Sequence, residues 1–76
     1  MDAYVYNSVE DDVKMAMEIY EITQSEAEEK VKGWYLRGYR VGKEHQPGTI
    51  RVTRYSTYSY RTGYFDGVAD KRLEHE

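Results

Sequence analysis

Tyr35-Leu36-Arg37-Gly38-Tyr39-Arg40-Val41-Gly42 and Tyr60-Arg61-Thr62-Gly63-Tyr64-Phe65-Asp66-Gly67 are two copies of one pattern, Tyr-x-x-Gly-Tyr-x-x-Gly, set 25 positions apart. Internal repetition states architecture directly. Two copies are too few for a solenoid, so they predict two similar helices packed on each other. Positions three and four apart share a face of a helix. Gly38 and Gly42 therefore form a notch beside Tyr35 and Tyr39, and Gly63 and Gly67 form one beside Tyr60 and Tyr64. Small residues at this spacing let two backbones approach closely. Each interior glycine costs about 1 kcal/mol of helix propensity relative to alanine, so four of them need a compensating contact. The plainer alternative, a glycine that merely ends its helix, fits Gly42 alone but not the whole repeated pattern.

Working outward, three helices are expected, near residues 8–22, 25–42 and 57–72. Ser8 suits an N-cap, and Glu10, Asp11 and Asp12 follow where the helix dipole favours acids. Val9, Val13, Ala16, Met17 and Tyr20 form one apolar stripe, with Met15, Ile19 and Ile22 beside it. That arc is wider than a surface helix needs. It predicts two neighbours for this helix, or one neighbour and a second copy of the chain in a homodimer. Ser25 with Glu28 reads as a capping box that opens the second helix. Ala27, Val31, Trp34, Gly38 and Val41 then share a stripe. Pro47-Gly48 breaks the pattern. Residues 49 to 55 alternate β-branched residues and read as an extended connector, with a short hairpin over 49–60, and hence an α+β fold, as the alternative. Ser56, Thr57 or Ser59 can cap the third helix, which carries Phe65, Ala69 and Leu73 on a second face.

The 76 residues make one small domain with a thin core. The chain has no cysteine, which rules out a disulfide or thiolate metal site and agrees with a reducing, cytoplasmic setting. Its opening Met-Asp-Ala-Tyr does not read as a secretory signal, and no apolar run approaches the roughly 20 residues of a membrane span, so no membrane partner is expected. Nine tyrosines stand against one Trp and one Phe, which suits a thin core or a contact surface. The net charge of −3 is split: residues 1–32 carry nine acids against three lysines, and residues 33–76 carry eight bases against five acids. The two halves therefore neutralise each other or face different partners.

From Arg37 to Arg72 the chain resembles the ribosome modulation factor family. The resemblance rests on Arg37-Gly38-Tyr39 with Gly42, a connector holding Pro47, then Tyr60, Gly63 and Tyr64, and finally Ala69-Asp70 with Arg72. It covers about half the chain. It implies two helices joined by an extended linker, and binding to the small ribosomal subunit through ribosomal RNA. The acidic first helix and the overall negative charge depart from the family's strongly basic character, and RNA affinity rests heavily on phosphate neutralisation.

Enzyme chemistry and a cofactor are not expected. His45 sits in a turn and His75 near the terminus, with no visible partner for general-base work. Zinc spacings and phosphate loops are absent from the sequence. The nucleic-acid reading names Arg37, Arg40, Lys43, Arg51, Arg54, Arg61, Lys71 and Arg72 for phosphates, with Tyr55 and Tyr58 for unpaired bases. Its bland counterpart is a solvated basic face paired with the acidic half. The competing reading is an inhibitor or adaptor, of the kind phages and mobile elements encode. It would present Glu10, Asp11, Glu18, Glu21, Glu26, Glu28 and Glu29 to a basic host protein, as a nucleic acid presents its charge.

Overall fold

The computed structural model describes residues 6–44 and 56–74, which form three helices: α1 (Val9–Tyr20), α2 (Gln24–Lys43) and α3 (Tyr58–Glu74). No strand occurs among the described residues. The hairpin alternative is overturned at its distal end, because residues 58–60 are helical; residues 49–55 lie outside the described residues. No helix among the described residues is long and apolar enough to cross a membrane.

Ser8 caps α1, its hydroxyl accepting from the Asp11 amide at 3.2 Å, and the Asp11 carboxylate accepts from the Asn7 amide at 3.0 Å. The helix ends two residues earlier than Ile22, where Glu21 turns left-handed at φ 52°. A non-glycine residue pays for that conformation, so Glu21→Gly should stabilise the fold by up to about 1 kcal/mol, the left-handed strain relieved less the entropy glycine adds. A thermal melt of the variant checks this; a lower midpoint would contradict it.

The turn at Glu21 also corrects the register of the second cap. The capping box is Thr23 with Glu26, not Ser25 with Glu28. The Thr23 hydroxyl accepts from the Glu26 amide at 3.3 Å, and the Glu26 carboxylate accepts from the Thr23 amide at 3.1 Å. Both pairs carry the same local signature, and the extended backbone at Thr23 selects the earlier one. The Thr23 amide bond holds the Glu26 carboxyl below its ordinary value.

α2 and α3 pack through their glycines. A Cβ on Gly38 would overlap the Tyr60 carbonyl and lie 3.0 Å from the Tyr64 nitrogen. A Cβ on Gly63 would overlap the Tyr35 carbonyl and lie 3.0 Å from the Tyr39 nitrogen. Gly42 meets Tyr64 and Val68 in the same way, and Gly67 meets Tyr39 and Lys43. As α2 advances from 38 to 42, its partner advances from 60 to 64, so the helices run parallel. Exchanging residue n of α2 with residue n+25 of α3 reproduces the contact set. The pair has an internal two-fold running along the helices.

The core is correspondingly thin. Ala16 and Ala27 are fully buried, and Val31 and Tyr64 nearly so. The broad apolar arc of α1 is only partly used: Val9, Ile19 and Tyr20 stay about half exposed or more. Asp12 is instead the largest fully buried side chain, and of the Val9, Val13, Ala16, Met17 and Tyr20 stripe only Ala16 is fully buried beside it.

Candidate nucleic-acid interface

The reason for burying Asp12 lies across the molecule. Its carboxylate accepts from the Tyr58 amide at 3.1 Å and from the Ser59 amide at 2.7 Å. α3 has no acid in its own first turn. α1 supplies one, satisfying two orphan amides and placing negative charge at the positive end of the helix dipole. Thr57 completes the cap, its hydroxyl accepting from the Tyr60 amide at 3.2 Å.

The two-fold of the helix pair holds in the backbone and is broken in the side chains. On one side, α2 presents Tyr35, Tyr39 and Lys43, and α3 presents Asp66, Asp70 and Glu74, each set at four-residue spacing. The Tyr35 hydroxyl donates to Asp66 at 2.5 Å, the Tyr39 hydroxyl donates to Asp70, and Lys43 pairs with Glu74. The position equivalent to Asp66 across the two-fold is Val41. All three carboxylates of the described part of α3 are therefore drawn to one side.

The opposite side has a different chemistry. Trp34 and Arg37 of α2 and Tyr60 of α3 line a shallow cleft of about 390 Å³ together with Ser56 and Thr57. Along the same two helix stripes, positions 30, 34, 37 and 41 are Lys, Trp, Arg and Val, and positions 60, 64, 68 and 71 are Tyr, Tyr, Val and Lys. None is acidic.

The hydrogen bonds to Asp66 and Asp70 hold the Tyr35 and Tyr39 phenols above their ordinary value, and the bond to Glu74 does the same for the Lys43 ammonium. A group held above its ordinary value gives its full stabilisation below the unfolded-state value, about pH 10 for a phenol, and loses it as pH rises through the folded-state value. The melting temperature should therefore fall above about pH 10. A Tyr35→Phe, Tyr39→Phe variant should start lower at neutral pH and decline less steeply in alkali. Identical alkaline limbs would show that the ladder does not contribute.

The sequence-derived cations are not all available. Arg37, Arg40 and Arg72 are exposed. Lys43 is spent on Glu74, and its ammonium also lies 6.0 Å from the Tyr39 ring centroid. Arg61 donates to the Tyr6 carbonyl, and Lys71 is half-buried. Tyr58 lies on a different cleft from Trp34. Arg51, Arg54 and Tyr55 lie outside the described residues. Of the acidic set, Glu10, Glu18, Glu21, Glu28 and Glu29 are exposed, while Glu26 and Asp11 serve caps. A larger cleft of about 1090 Å³ opens between the three helices over Val9, Val13, Met17, Val31 and Leu36, with Glu10, Asp11 and Glu28 among its walls.

Sequence reasoning missed Asp12, the carboxylate ladder and the Trp34–Tyr60 cleft. The ladder had a signal: Tyr35, Tyr39 and Lys43 differ from Asp66, Asp70 and Glu74 by a constant 31 positions. No known protein family, no curated protein and no solved structure matches the chain.

Proposed function

We propose that this chain is a non-enzymatic regulatory protein that binds ribosomal RNA in the cytoplasm, in the manner of the ribosome modulation factor family. One observation carries the reading. The carboxylates of α3 are gathered on one side of the helix pair by Tyr35, Tyr39 and Lys43. This leaves Trp34, Arg37 and Tyr60 on the other side, around a cleft with no acid in its lining, although Glu26 and Glu44 bound the α2 stripe at its two ends. A protein of net charge −3 can approach phosphates only if it presents such a sorted face.

The tagged protein should recover small ribosomal subunits from a bacterial lysate at low salt, and nuclease or moderate salt should release them. Arg37→Glu with Arg40→Glu should weaken recovery at least tenfold, since each reversal adds repulsion where a phosphate contact was made. Recovery that survives nuclease would overturn the reading.

A second reading has its own observation. The three-helix cleft has Val13, Met17 and Val31 in its lining, with three acids, Glu10, Asp11 and Glu28, against two bases, Lys14 and Lys32. That combination suits a segment of a basic host protein, and the chain would then be an inhibitor or adaptor. Nuclease-resistant recovery of a single host protein is the outcome that would favour it.

A further inference from the structure

We infer that the cleft between Trp34, Arg37, Thr57 and Tyr60 holds one unpaired nucleotide, with its base on the aromatic rings and its phosphate on the guanidinium. The inference rests on the RNA reading above and names the kind of RNA that this face selects. The cleft holds about 390 Å³, at the small end of ligand sites, which run to roughly 300–1,000 Å³. Trp34 and Tyr60 each stand half-buried in its walls. Aromatic rings fixed in this way are platforms for unstacked bases, whereas a duplex keeps its bases inside.

The polar groups have complementary roles. The Thr57 hydroxyl already accepts from the Tyr60 amide and still has its own proton to donate to a base or ribose oxygen. The first amides of α3 do not compete for the phosphate, because Asp12 takes those of Tyr58 and Ser59 and Thr57 takes that of Tyr60. Anion recognition therefore falls to Arg37, which is exposed at the cleft wall. No lining residue carries negative charge.

Trp34 is the single tryptophan of the chain, so its emission reports the cleft directly. The unaltered protein is titrated with a short oligouridylate strand, and with the same strand annealed to oligoadenylate, at low salt. Retention on filters is measured in parallel. The single strand should quench Trp34 and the duplex should not. Trp34→Leu should weaken single-strand retention about 5- to 150-fold, the range of one base-stacking contact, and leave duplex retention unchanged. Arg37→Ala should lower the salt dependence by about one ion. Single-strand retention without quenching overturns the nucleotide cleft and leaves the RNA reading standing. Failure of both oligonucleotides and ribosomal RNA to be retained overturns the two together.

Discussion

Gly38→Ala is expected to cost the domain about 2 kcal/mol net, a large share of its stability, and Gly63→Ala, its equivalent across the internal two-fold, to do the same. The added methyl on each would overlap a carbonyl oxygen of the facing helix. The obstacle is backbone, not the end of a flexible side chain, so it cannot swing away. The helices must separate, which also stretches the Tyr35–Asp66 and Tyr39–Asp70 bonds. Overpacking costs about 1–3 kcal/mol and occasionally more, and rigid partners put these sites at the high end. A single core of this size supplies no more than about 3–5 kcal/mol. The alanine gains up to about 1 kcal/mol of helix propensity, which is too little to offset the clash. Gly33 is the internal control. A Cβ there meets nothing within 4 Å, so Gly33→Ala has the propensity gain and no clash, and should raise stability by up to about 1 kcal/mol. Urea titrations followed by circular dichroism will separate the cases. Equal midpoints for Gly33→Ala and Gly38→Ala would show that backbone proximity does not govern this contact.

The second large effect is expected at Asp12. Asp12→Ala removes a fully buried carboxylate and leaves the Tyr58 and Ser59 amides without an acceptor. Losing an N-cap costs about 0.5–2 kcal/mol, and hydrogen bonds to a charged group contribute about 1.5–3 kcal/mol, so a loss of about 2–4 kcal/mol is expected. The effect should have a location as well as a size. A 12-residue helix is too short to persist alone, so α1 should lose helicity as it loses its anchor. Hydrogen exchange at the Ser59 amide should accelerate by orders of magnitude. Asp12→Asn, which keeps one carbonyl acceptor, should fall between the two. Unchanged exchange at Ser59 in Asp12→Ala would mean that the cap is dispensable. A variant at Asp11, one residue away, should cost far less, because that carboxylate serves only the Asn7 amide at the surface.

The functional prediction is independent of these two. Arg37 and Arg40 are exposed and neither lies in the glycine contact, so their reversal should leave the melting curve near that of the parent while altering RNA recovery. A folded protein that no longer binds is the informative outcome.

By itself, the sequence determined three helices and roughly where they lie. Apolar periodicity and the Ser8 cap are local signals, and helix formation reads them locally; Pro47 and Gly48 lie outside the described residues. Helix ends were less legible. Thr23-x-x-Glu26 and Ser25-x-x-Glu28 are equivalent on paper, and the left-handed turn at Glu21 chose between them. The tertiary structure alone decided the rest. A repeated glycine pattern is silent on direction, because parallel and antiparallel helices can both close over small residues; the parallel arrangement emerges from which carbonyl each glycine meets. Direction in turn set the side-chain partners, drawing Asp66, Asp70 and Glu74 to Tyr35, Tyr39 and Lys43 and leaving Trp34, Arg37 and Tyr60 on the other side. Asp12 is the sharpest case. Beside Glu10 and Asp11 it reads as one more acid of a helix first turn. Its role depends on the start of α3, 46 positions away in the chain, and only folding brings an orphan amide across that distance to a carboxylate that must be buried to meet it.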